Sequence, residues 1–330
     1  MAKRECDLII VGGGPAGLSA AINGASEGLN IILIDSGPAL GGQAAKSSLI
    51  ENYPGFPKGI TGPDLVGNWI EQAGKFKTVM ECPQTALGLR ADGDRKIVVT
   101  DDDEIVGKMV ILSAGLSYRR LAAPGVSTLM GRGVLYGAPT FDPRSMGDCK
   151  ICIVGGANSA GQAAMHMSMN PSAQVQLLIR KRLEDQMSTY LVERVRAAEN
   201  ITVCEGVEVI EACGAQSLEA VVLKNIADET EERVQANHLF IFIGANPKTQ
   251  WLRGSSVVMN ERNFILTGND LPTEDWKLER RPFSFETSMP GVFACGDVRL
   301  GSTKRIASAV GEGSVALQQC HDFLRLLATT

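Results

Sequence analysis

The chain carries two copies of one glycine-rich pattern, and this repeat constrains the fold more than any other feature. Residues 9–17 read IIVGGGPAG, and residues 152–160, shifted by 143 positions, read CIVGGANSA. Each copy follows an apolar run, Leu8–Val11 or Ile151–Val154, and precedes an alanine-rich run. A buried strand that turns through glycines into a helix produces this order of residues. The repeat therefore predicts two βα units and an α/β fold.

The first copy is a complete G-x-G-x-x-G motif at Gly12, Gly14 and Gly17. In this motif the first glycine forms a tight turn, the second lets the backbone approach a pyrophosphate, and the third packs helix against strand. The next apolar run ends in Asp35, 21 residues beyond Gly14, where a carboxylate is expected to bind ribose hydroxyls. Together these features predict a dinucleotide site.

The second copy differs at the positions that choose the ligand. It has Gly155, then Ala157 and Ala160 in place of the second and third glycines, and its next strand, Val175–Ile179, ends in Arg180-Lys181-Arg182. A carboxylate there would repel a 2′-phosphate, whereas basic side chains would bind it. The pair of turns thus predicts FAD in the first unit and NADPH, rather than NADH, in the second. The alternative for the basic residues is a solvated loop.

Composition and charge exclude several other classes of protein. A length of 330 residues favours two domains, and a net charge of −5 offers no footprint for nucleic acid or an anionic membrane. The longest apolar runs, such as Leu239–Ile243, fall far short of the ~18 residues of a membrane span. Eight scattered cysteines and an N-terminal apolar run cut short by glycines favour the cytoplasm. No spacing of histidines and cysteines suggests a metal site.

Further motifs resemble the low-molecular-weight thioredoxin reductases, within the FAD/NAD(P) pyridine nucleotide-disulfide oxidoreductases. They are GGGPAG at 12–17, GGQ at 41–43, ENYPGFP at 51–57, GANPKT at 244–249 and TSMPGVFACGDV at 287–298. The resemblance implies an α/β fold with two Rossmann-like dinucleotide-binding domains of the three-layer ββα type, the second inserted in the first. The implied FAD-binding domain comprises residues 1–117 and 249–330, the NAD(P)-binding domain comprises 118–248, and the implied assembly is a homodimer.

The same resemblance implies which residues contact each cofactor. For FAD they are Gly12, Gly14, Pro15, Ala16, Gly17, Asp35, Gln43, Asn52, Gly296, Asp297, Lys304, Arg305 and Ile306. For NADPH they are Gly155, Asn158, Ser159, Ala160, Arg180 and Lys181. Asp297 is expected to hold the ribityl chain, and no metal ligands are implied.

Arg305 is the one candidate catalytic residue. It stands where the family usually has Gln, at the start of the last predicted helix, 308–327, whose N-terminus points at the flavin N1 and C2 carbonyl in the family. A helix N-terminus stabilises negative charge, and a fixed cation beside it would raise the flavin potential. The alternative is a phosphate or carboxylate contact unrelated to N1.

The chain departs from the family at the redox disulfide. Residues 133–141 read GVLYGAPTF, so that Gly137 and Thr140 occupy the positions of the family's Cys-x-x-Cys pair, and neither can form a thiolate. A second Cys-x-x-Cys, Cys149 and Cys152, falls in the strand before the second turn. On an extended strand these residues would lie about 10 Å apart and face opposite ways, too far for a disulfide. The alternative is a turn at 147–148 that folds Cys149 back.

Four segments are similar to bacterial thioredoxin-reductase-like flavoproteins that lack the active-site pair: 158–164, 187–191, 266–271 with Trp276, and 304–314. The sequence therefore predicts an FAD-dependent oxidoreductase that takes hydride from NADPH and passes electrons to a small-molecule or protein acceptor that is not a dithiol. Two alternatives stay open. One is a disulfide reductase that uses Cys149 and Cys152 or an external disulfide, and the other is a non-enzymatic flavin- or nucleotide-binding redox sensor.

Overall fold

The computed structural model describes residues 3–47, 50, 52–137 and 142–328. Its strands, numbered in chain order, are β1 Lys3–Glu5, β2 Leu8–Val11, β3 Ile31–Ile34, β4 Val79–Glu81, β5 Ala86–Asp92, β6 Arg95–Thr100, β7 Glu104–Gly107, β8 Met109–Leu112, β9 Leu116–Tyr118, β10 Val134–Tyr136, β11 Cys149–Val154, β12 Ala173–Ile179, β13 Ile201–Glu205, β14 Val207–Cys213, β15 Ala220–Asn225, β16 Glu231–Gln235, β17 His238–Ile241, β18 Ala245–Pro247 and β19 Val292–Ala294. The α-helices are α1 Pro15–Ser26, α2 Gly62–Lys75, α3 Asn158–Met167, α4 Thr189–Ala197 and α5 Ile306–Ala328.

The chain divides into two compact units. The first comprises Met1–Ser117 and Asn246–Thr330, and the second comprises Tyr118–Ala245. The second unit is thus inserted, in sequence, between the two segments of the first. Two short strands, β9 and β18, pair where the chain passes from one unit to the other.

The first unit has three layers. Its central parallel sheet has the order β19-β8-β2-β3-β4. Successive residues of a strand point to opposite faces, and Leu8 and Ile10 accordingly lie in one hydrophobic core with α1, α2 and α5. Ile9 and Val11 lie in a second core with residues of β5, β6 and β7, which form a further sheet with β1. Both faces of the central sheet are covered, which is why its strands are continuous apolar runs.

The second unit repeats this arrangement. Its parallel sheet has the order β10-β17-β11-β12-β13. Ile151 and Ile153 pack on the side of α3 and α4, whereas Cys152 and Val154 pack with residues of the antiparallel sheet β14-β15-β16. The predicted fold class, α/β with two Rossmann-like three-layer domains, is confirmed. Which cofactor each unit holds stays a prediction.

Two polar stretches, 91–104 and 227–233, are predicted from their composition to be hairpin tips. The second prediction is confirmed, because residues 226–230 connect the antiparallel strands β15 and β16, but the first stretch contains more than a tip. Residues 91–104 contain a whole strand, β6, between turns at 93–94 and 101–103, and β16 begins at Glu231, inside the stretch 227–233. The charged start of β6 precedes a buried centre, Ile97 and Val98. Val98 packs in the same core as Ile9 and Val11 of the central sheet. Among the described residues no helix is long and apolar enough to cross a membrane.

Candidate functional site

The loops that follow four parallel strands of the first unit meet at one edge of the sheet. β2, β3, β8 and β19 run in the same direction, so their carboxyl ends lie together, where open α/β sheets bind ligands. Ser113, just after β8, donates its hydroxyl hydrogen bond to the Gly12 carbonyl at 2.8 Å. This contact joins the end of β8 to the glycine turn.

Each of the three glycines in the first turn is required for a different structural reason. Gly12 has φ +113°, a left-handed conformation, and a Cβ there would lie 2.3 Å from the Ser113 carbonyl oxygen. A Cβ on Gly17 would lie 1.9 Å from the Gly12 carbonyl oxygen, so this glycine allows α1 to pack on the turn. Gly14 has an ordinary φ of −79°, and a Cβ there would meet no atom within 4 Å. The backbone at Gly14 therefore faces open space at the N-terminus of α1, which suits the approach of a pyrophosphate.

Asp35 and the loop at 41–43 complete this side of the turn. The two carboxylate oxygens of Asp35 accept hydrogen bonds from the amides of Gly13 and Gly37, each at 2.7 Å. The Gly41 amide donates to the Gly13 carbonyl at 2.7 Å, and the Gln43 side chain reaches the Leu116 carbonyl at 3.4 Å. Each Asp35 oxygen keeps a lone pair for a ribose hydroxyl.

The turn after β19 brings Asp297 to the same edge. Gly296 has φ +72°, and a Cβ there would lie 3.0 Å from the Ala16 Cβ in the first turn of α1. Burial raises the pKa of Asp297, while Lys304 and a hydrogen bond from Ser302 at 3.3 Å oppose the rise. Asp297 is thus a half-buried residue at the edge of the sheet that carries the glycine turn, and its contact with FAD stays a prediction.

Three of the residues predicted to contact FAD, Lys304, Arg305 and Ile306, lie at the start of α5. Lys304 has φ +56° and holds its ammonium group 4.9 Å above the Phe264 ring. The Arg305 carbonyl accepts from the Ala309 amide at 2.9 Å, so Arg305 is the N-cap residue, and its side chain is exposed. Ile306 begins the helix and packs against the core. The role of Arg305 at the flavin stays a prediction.

Asn52 stands apart from the residues above. It is exposed and lines a surface depression with residues 53–57. No hydrogen bond in the described part of the chain joins it to the glycine turn, and its place near FAD stays a prediction.

The second turn has the same backbone with different side chains. Gly155 has φ +144°, and a Cβ there would lie 2.5 Å from the Phe242 carbonyl oxygen. Ala157 has φ −87° and ψ 171°, close to the −79° and −173° of Gly14, so the alanine adds no backbone strain. Its exposed methyl group is the only change at the position where a pyrophosphate would approach. Ala160 is fully buried, so helix and strand are spaced to admit its methyl group.

Residues 186–188, which the sequence motifs did not assign to the nucleotide site, lie against this turn. Asn158 accepts hydrogen bonds from the Ser188 amide at 2.8 Å and the Ser188 hydroxyl at 3.2 Å. A Cβ on Gly156 would lie 2.8 Å from the Gln186 side-chain oxygen. The similarity at 187–191 was the only sequence signal for this contact. Ser159 is exposed at the start of α3.

Arg180 and Lys181 follow directly after β12 and are exposed. Neither forms an ion pair or side-chain hydrogen bond within the described residues. Arg182 lies 3.8 Å from Glu184. Two exposed cations therefore stand at the end of the strand where a 2′-phosphate is expected.

Cys149 and Cys152, the alternative redox pair, are not placed to form a disulfide. All eight are free, and Cys149 and Cys152 lie on β11, buried in the cores on opposite faces of the sheet. The alternative in which a turn folds Cys149 back is wrong, because β11 begins at Cys149 itself. Burial raises the pKa of both thiols, that of Cys152 to about 12, which keeps them protonated and unreactive at neutral pH.

The segment that carries the cysteines in the resembled family is only partly described. Gly137 follows β10 with φ +85°, a conformation that disfavours a cysteine. Thr140 lies outside the described residues. Within the described residues no group of histidines, cysteines and carboxylates could hold a metal ion.

Comparison with known proteins agrees with this geometry. The pyridine nucleotide-disulphide oxidoreductase family matches residues 6–313. The chain is 32% identical to a thioredoxin reductase of Mycolicibacterium smegmatis over 94% of each chain, and 29% identical to one of Peptoclostridium acidaminophilum over 96% of each. The crystal structure of a thioredoxin reductase from Streptococcus pyogenes superposes with a TM-score of 0.80 at 29% identity, covering 97% of this chain and 98% of that one.

These similarities extend over both units and both glycine turns. Enzymes of this kind use FAD and NADPH, and the open backbone at Gly14 and the cations after β12 fit these two cofactors. The chain therefore belongs to the pyridine nucleotide-disulphide oxidoreductase family and is a thioredoxin-reductase-like, FAD-dependent enzyme.

Proposed function

We propose that this enzyme passes electrons from NADPH through FAD to an acceptor that is not a dithiol. The observation that carries the proposal is Gly137, which stands at a cysteine position of the resembled family in a conformation that disfavours cysteine. The second Cys-x-x-Cys offers no substitute, because Cys149 and Cys152 are buried on opposite faces of a sheet. A disulfide needs two Cα atoms within about 7 Å and side chains that face each other, which residues on opposite faces of one strand do not provide.

The proposal assigns each unit one cofactor. The first unit holds FAD at the turn of Gly12 and Gly14, with Asp35 on the ribose and Asp297 on the ribityl chain. The second holds NADPH at the turn of Gly155, with Arg180 and Lys181 on the 2′-phosphate. When bound, FAD accepts the hydride of NADPH and yields the two electrons to the acceptor, while the protein supplies orientation and electrostatics.

The acceptor belongs to the classes that take electrons directly from a flavin. These are a quinone, which becomes a quinol, molecular oxygen, or a small electron-carrier protein. We also propose a cytoplasmic homodimer, from the resemblance to the thioredoxin reductases. Arg305 is proposed to stabilise negative charge on the reduced cofactor from the N-cap of α5.

An anaerobic NADPH titration tests the absence of a dithiol. We expect one equivalent of NADPH to reduce each bound FAD completely, because the flavin alone accepts two electrons. The Cys149→Ser, Cys152→Ser double variant is the matched control and should take up the same amount. Uptake of four electrons by the wild type and two by the variant, with loss of disulfide reduction, would overturn the proposal in favour of a disulfide reductase.

A screen of acceptors under anaerobic conditions then identifies the reaction class. Steady NADPH oxidation with a quinone or an electron-carrier protein, at equal rates in the wild type and the double variant, supports the proposal. Full reduction by NADPH without turnover on any acceptor would instead favour the redox sensor.

A further inference from the structure

The turn that presents Asp297 is held from behind by a side chain of α5. Glu312 accepts a hydrogen bond from the Gly296 amide at 2.7 Å. Gly296 is the first residue after the Cys295 that ends the apolar run of β19, and its left-handed φ of +72° turns the chain so that Asp297 leaves the sheet. The Glu312 carboxylate is therefore bonded directly to the peptide group that sets the direction of Asp297.

Glu312 is itself held in a nearly buried ion pair. Arg299 donates to its second carboxylate oxygen at 2.8 Å, and the two side chains are only 16% and 12% exposed. The Arg299 guanidinium also donates to the Leu300 carbonyl at 2.8 Å and lies 4.9 Å from the Phe285 ring centre. A carboxylate with this many fixed partners keeps one rotamer, since each contact restricts the same side chain.

The helix that carries Glu312 is fixed on the glycine turn by its neighbour in sequence. A Cβ on Gly313 would lie 2.1 Å from the Ala16 carbonyl oxygen, so α5 touches the first turn of α1 at this point. Through Glu312, the position of Gly296 is therefore fixed relative to the first turn of α1, which begins directly after Gly14.

We infer that Glu312 is a positioning residue for FAD, because its carboxylate holds the Gly296 amide and so directs Asp297 towards the cofactor. The inference rests on the proposed contact between Asp297 and FAD. It assigns Glu312 no contact with the cofactor, and Arg299 serves to hold Glu312.

The test measures FAD affinity by titrating apoprotein with FAD and following the quenching of flavin fluorescence. Glu312→Ala should weaken binding by about tenfold or more, which corresponds to ~1.4 kcal/mol. Glu312→Gln keeps an oxygen that can accept from the Gly296 amide, so its affinity should stay within about threefold of wild type even though Arg299 loses its partner. Should Glu312→Ala fail to fold, Glu312→Asp serves, because it keeps the charge but is one methylene too short and should also weaken binding about tenfold.

A double-mutant cycle with Asp297→Ala shows whether Glu312 acts through Asp297. In the Asp297→Ala background, Glu312→Ala should weaken FAD binding by less than about threefold, since the group that it positions is gone. Full additivity of the two effects, or equal losses in Glu312→Gln and Glu312→Ala, would overturn the inference. Unchanged affinity in Asp297→Ala alone would instead refute the proposed FAD contact.

A second buried ion pair of the same unit supplies the control for general destabilisation. Glu286 is fully buried, is paired with Arg280 at 2.7 Å, and accepts from the Gly291 amide at 3.0 Å. Glu286→Ala should lower the melting temperature yet leave FAD affinity within about threefold. An equal loss of FAD affinity in this variant would mean that Glu312 has only a structural role.

Discussion

Gly14→Ala should separate cofactor binding from folding within a single turn. Gly14 has φ −79° and ψ −173°, which alanine adopts without strain, and a Cβ there meets no atom within 4 Å. The added methyl group therefore projects into the space where the pyrophosphate of FAD is expected. We therefore expect Gly14→Ala to leave the fold intact and to weaken the binding of FAD.

The structure sets both magnitudes. Gly14 is the N-cap of α1 and makes no side-chain cap, so its replacement by alanine should cost the apoprotein less than about 1 kcal/mol in unfolding free energy. Forcing a methyl group into a close contact typically costs about 1–3 kcal/mol. FAD should therefore bind about 5- to 150-fold more weakly.

Gly17→Ala is the matched variant, because the glycine at position 17 is required by the packing of α1 on the turn and not by the cofactor. Its Cβ would lie 1.9 Å from the Gly12 carbonyl oxygen, whereas ordinary contact begins at 3.4 Å, so α1 would have to move by 3.4 − 1.9 = 1.5 Å. We expect this variant to lose stability by about 3 kcal/mol or more, with or without FAD.

The assay combines urea unfolding of the apoproteins with fluorescence titration by FAD. The expected pattern is a stable Gly14→Ala apoprotein with weak FAD binding, beside an unstable Gly17→Ala apoprotein. If Gly14→Ala were as stable as wild type and bound FAD within about twofold of it, the pyrophosphate would not pass Gly14 and the site would be misplaced.

Three further predictions concern the second glycine turn, the cations near it, and Asp297. Arg180→Ala should reduce the preference for NADPH over NADH by about ten- to a hundredfold, because one charge-assisted bond to the 2′-phosphate is worth ~1.5–3 kcal/mol. Stopped-flow flavin reduction measures this preference. Equal use of both nucleotides by the wild type would refute the proposed 2′-phosphate site. Ala157→Gly should tighten NADPH binding, as measured by titration calorimetry, and weaker or unchanged binding would show that its methyl group does not meet the pyrophosphate. Because the pKa of Asp297 is raised in the folded state, the apoprotein loses stability as the pH rises from the ordinary value of 3.8 through the raised value. Asp297→Asn should therefore stabilise the apoprotein more at pH 7 than at pH 4, as measured by urea unfolding. A variant less stable than wild type at pH 7 would contradict this sign.

Much of the local structure could be predicted from short segments. The strands at Leu8–Val11 and Ile31–Ile34 are continuous apolar runs because both faces of the sheet are covered, and Gly12 and Asp35 follow them directly. The polar stretch around β6 was wrongly predicted as a hairpin tip because its charged first residues precede a buried centre. The average composition of residues 91–104 is polar, so it does not reveal the buried centre of β6.

The absence of a displaced disulfide also followed from a local argument. Two residues three apart on a strand point to opposite faces, and the structure places Cys149 and Cys152 in different cores. What the local argument could not settle was where the strand begins, because a turn at 147–148 remained possible. Pairing of Cys149 with Ala173 in the sheet decides that point.

The sequence alone predicted the two βα units, a separate requirement for each glycine of the first turn, and the lack of thiols at Gly137 and Thr140, since each depends on residues close together in the chain. Only the tertiary structure decided which distant groups meet. The order β19-β8-β2 brings Gly296 against Ala16 and lets Glu312 hold the Gly296 amide, and no spacing in the sequence encodes that order. Sheet order depends on how whole helices pack across the two faces, which is a property of the complete core.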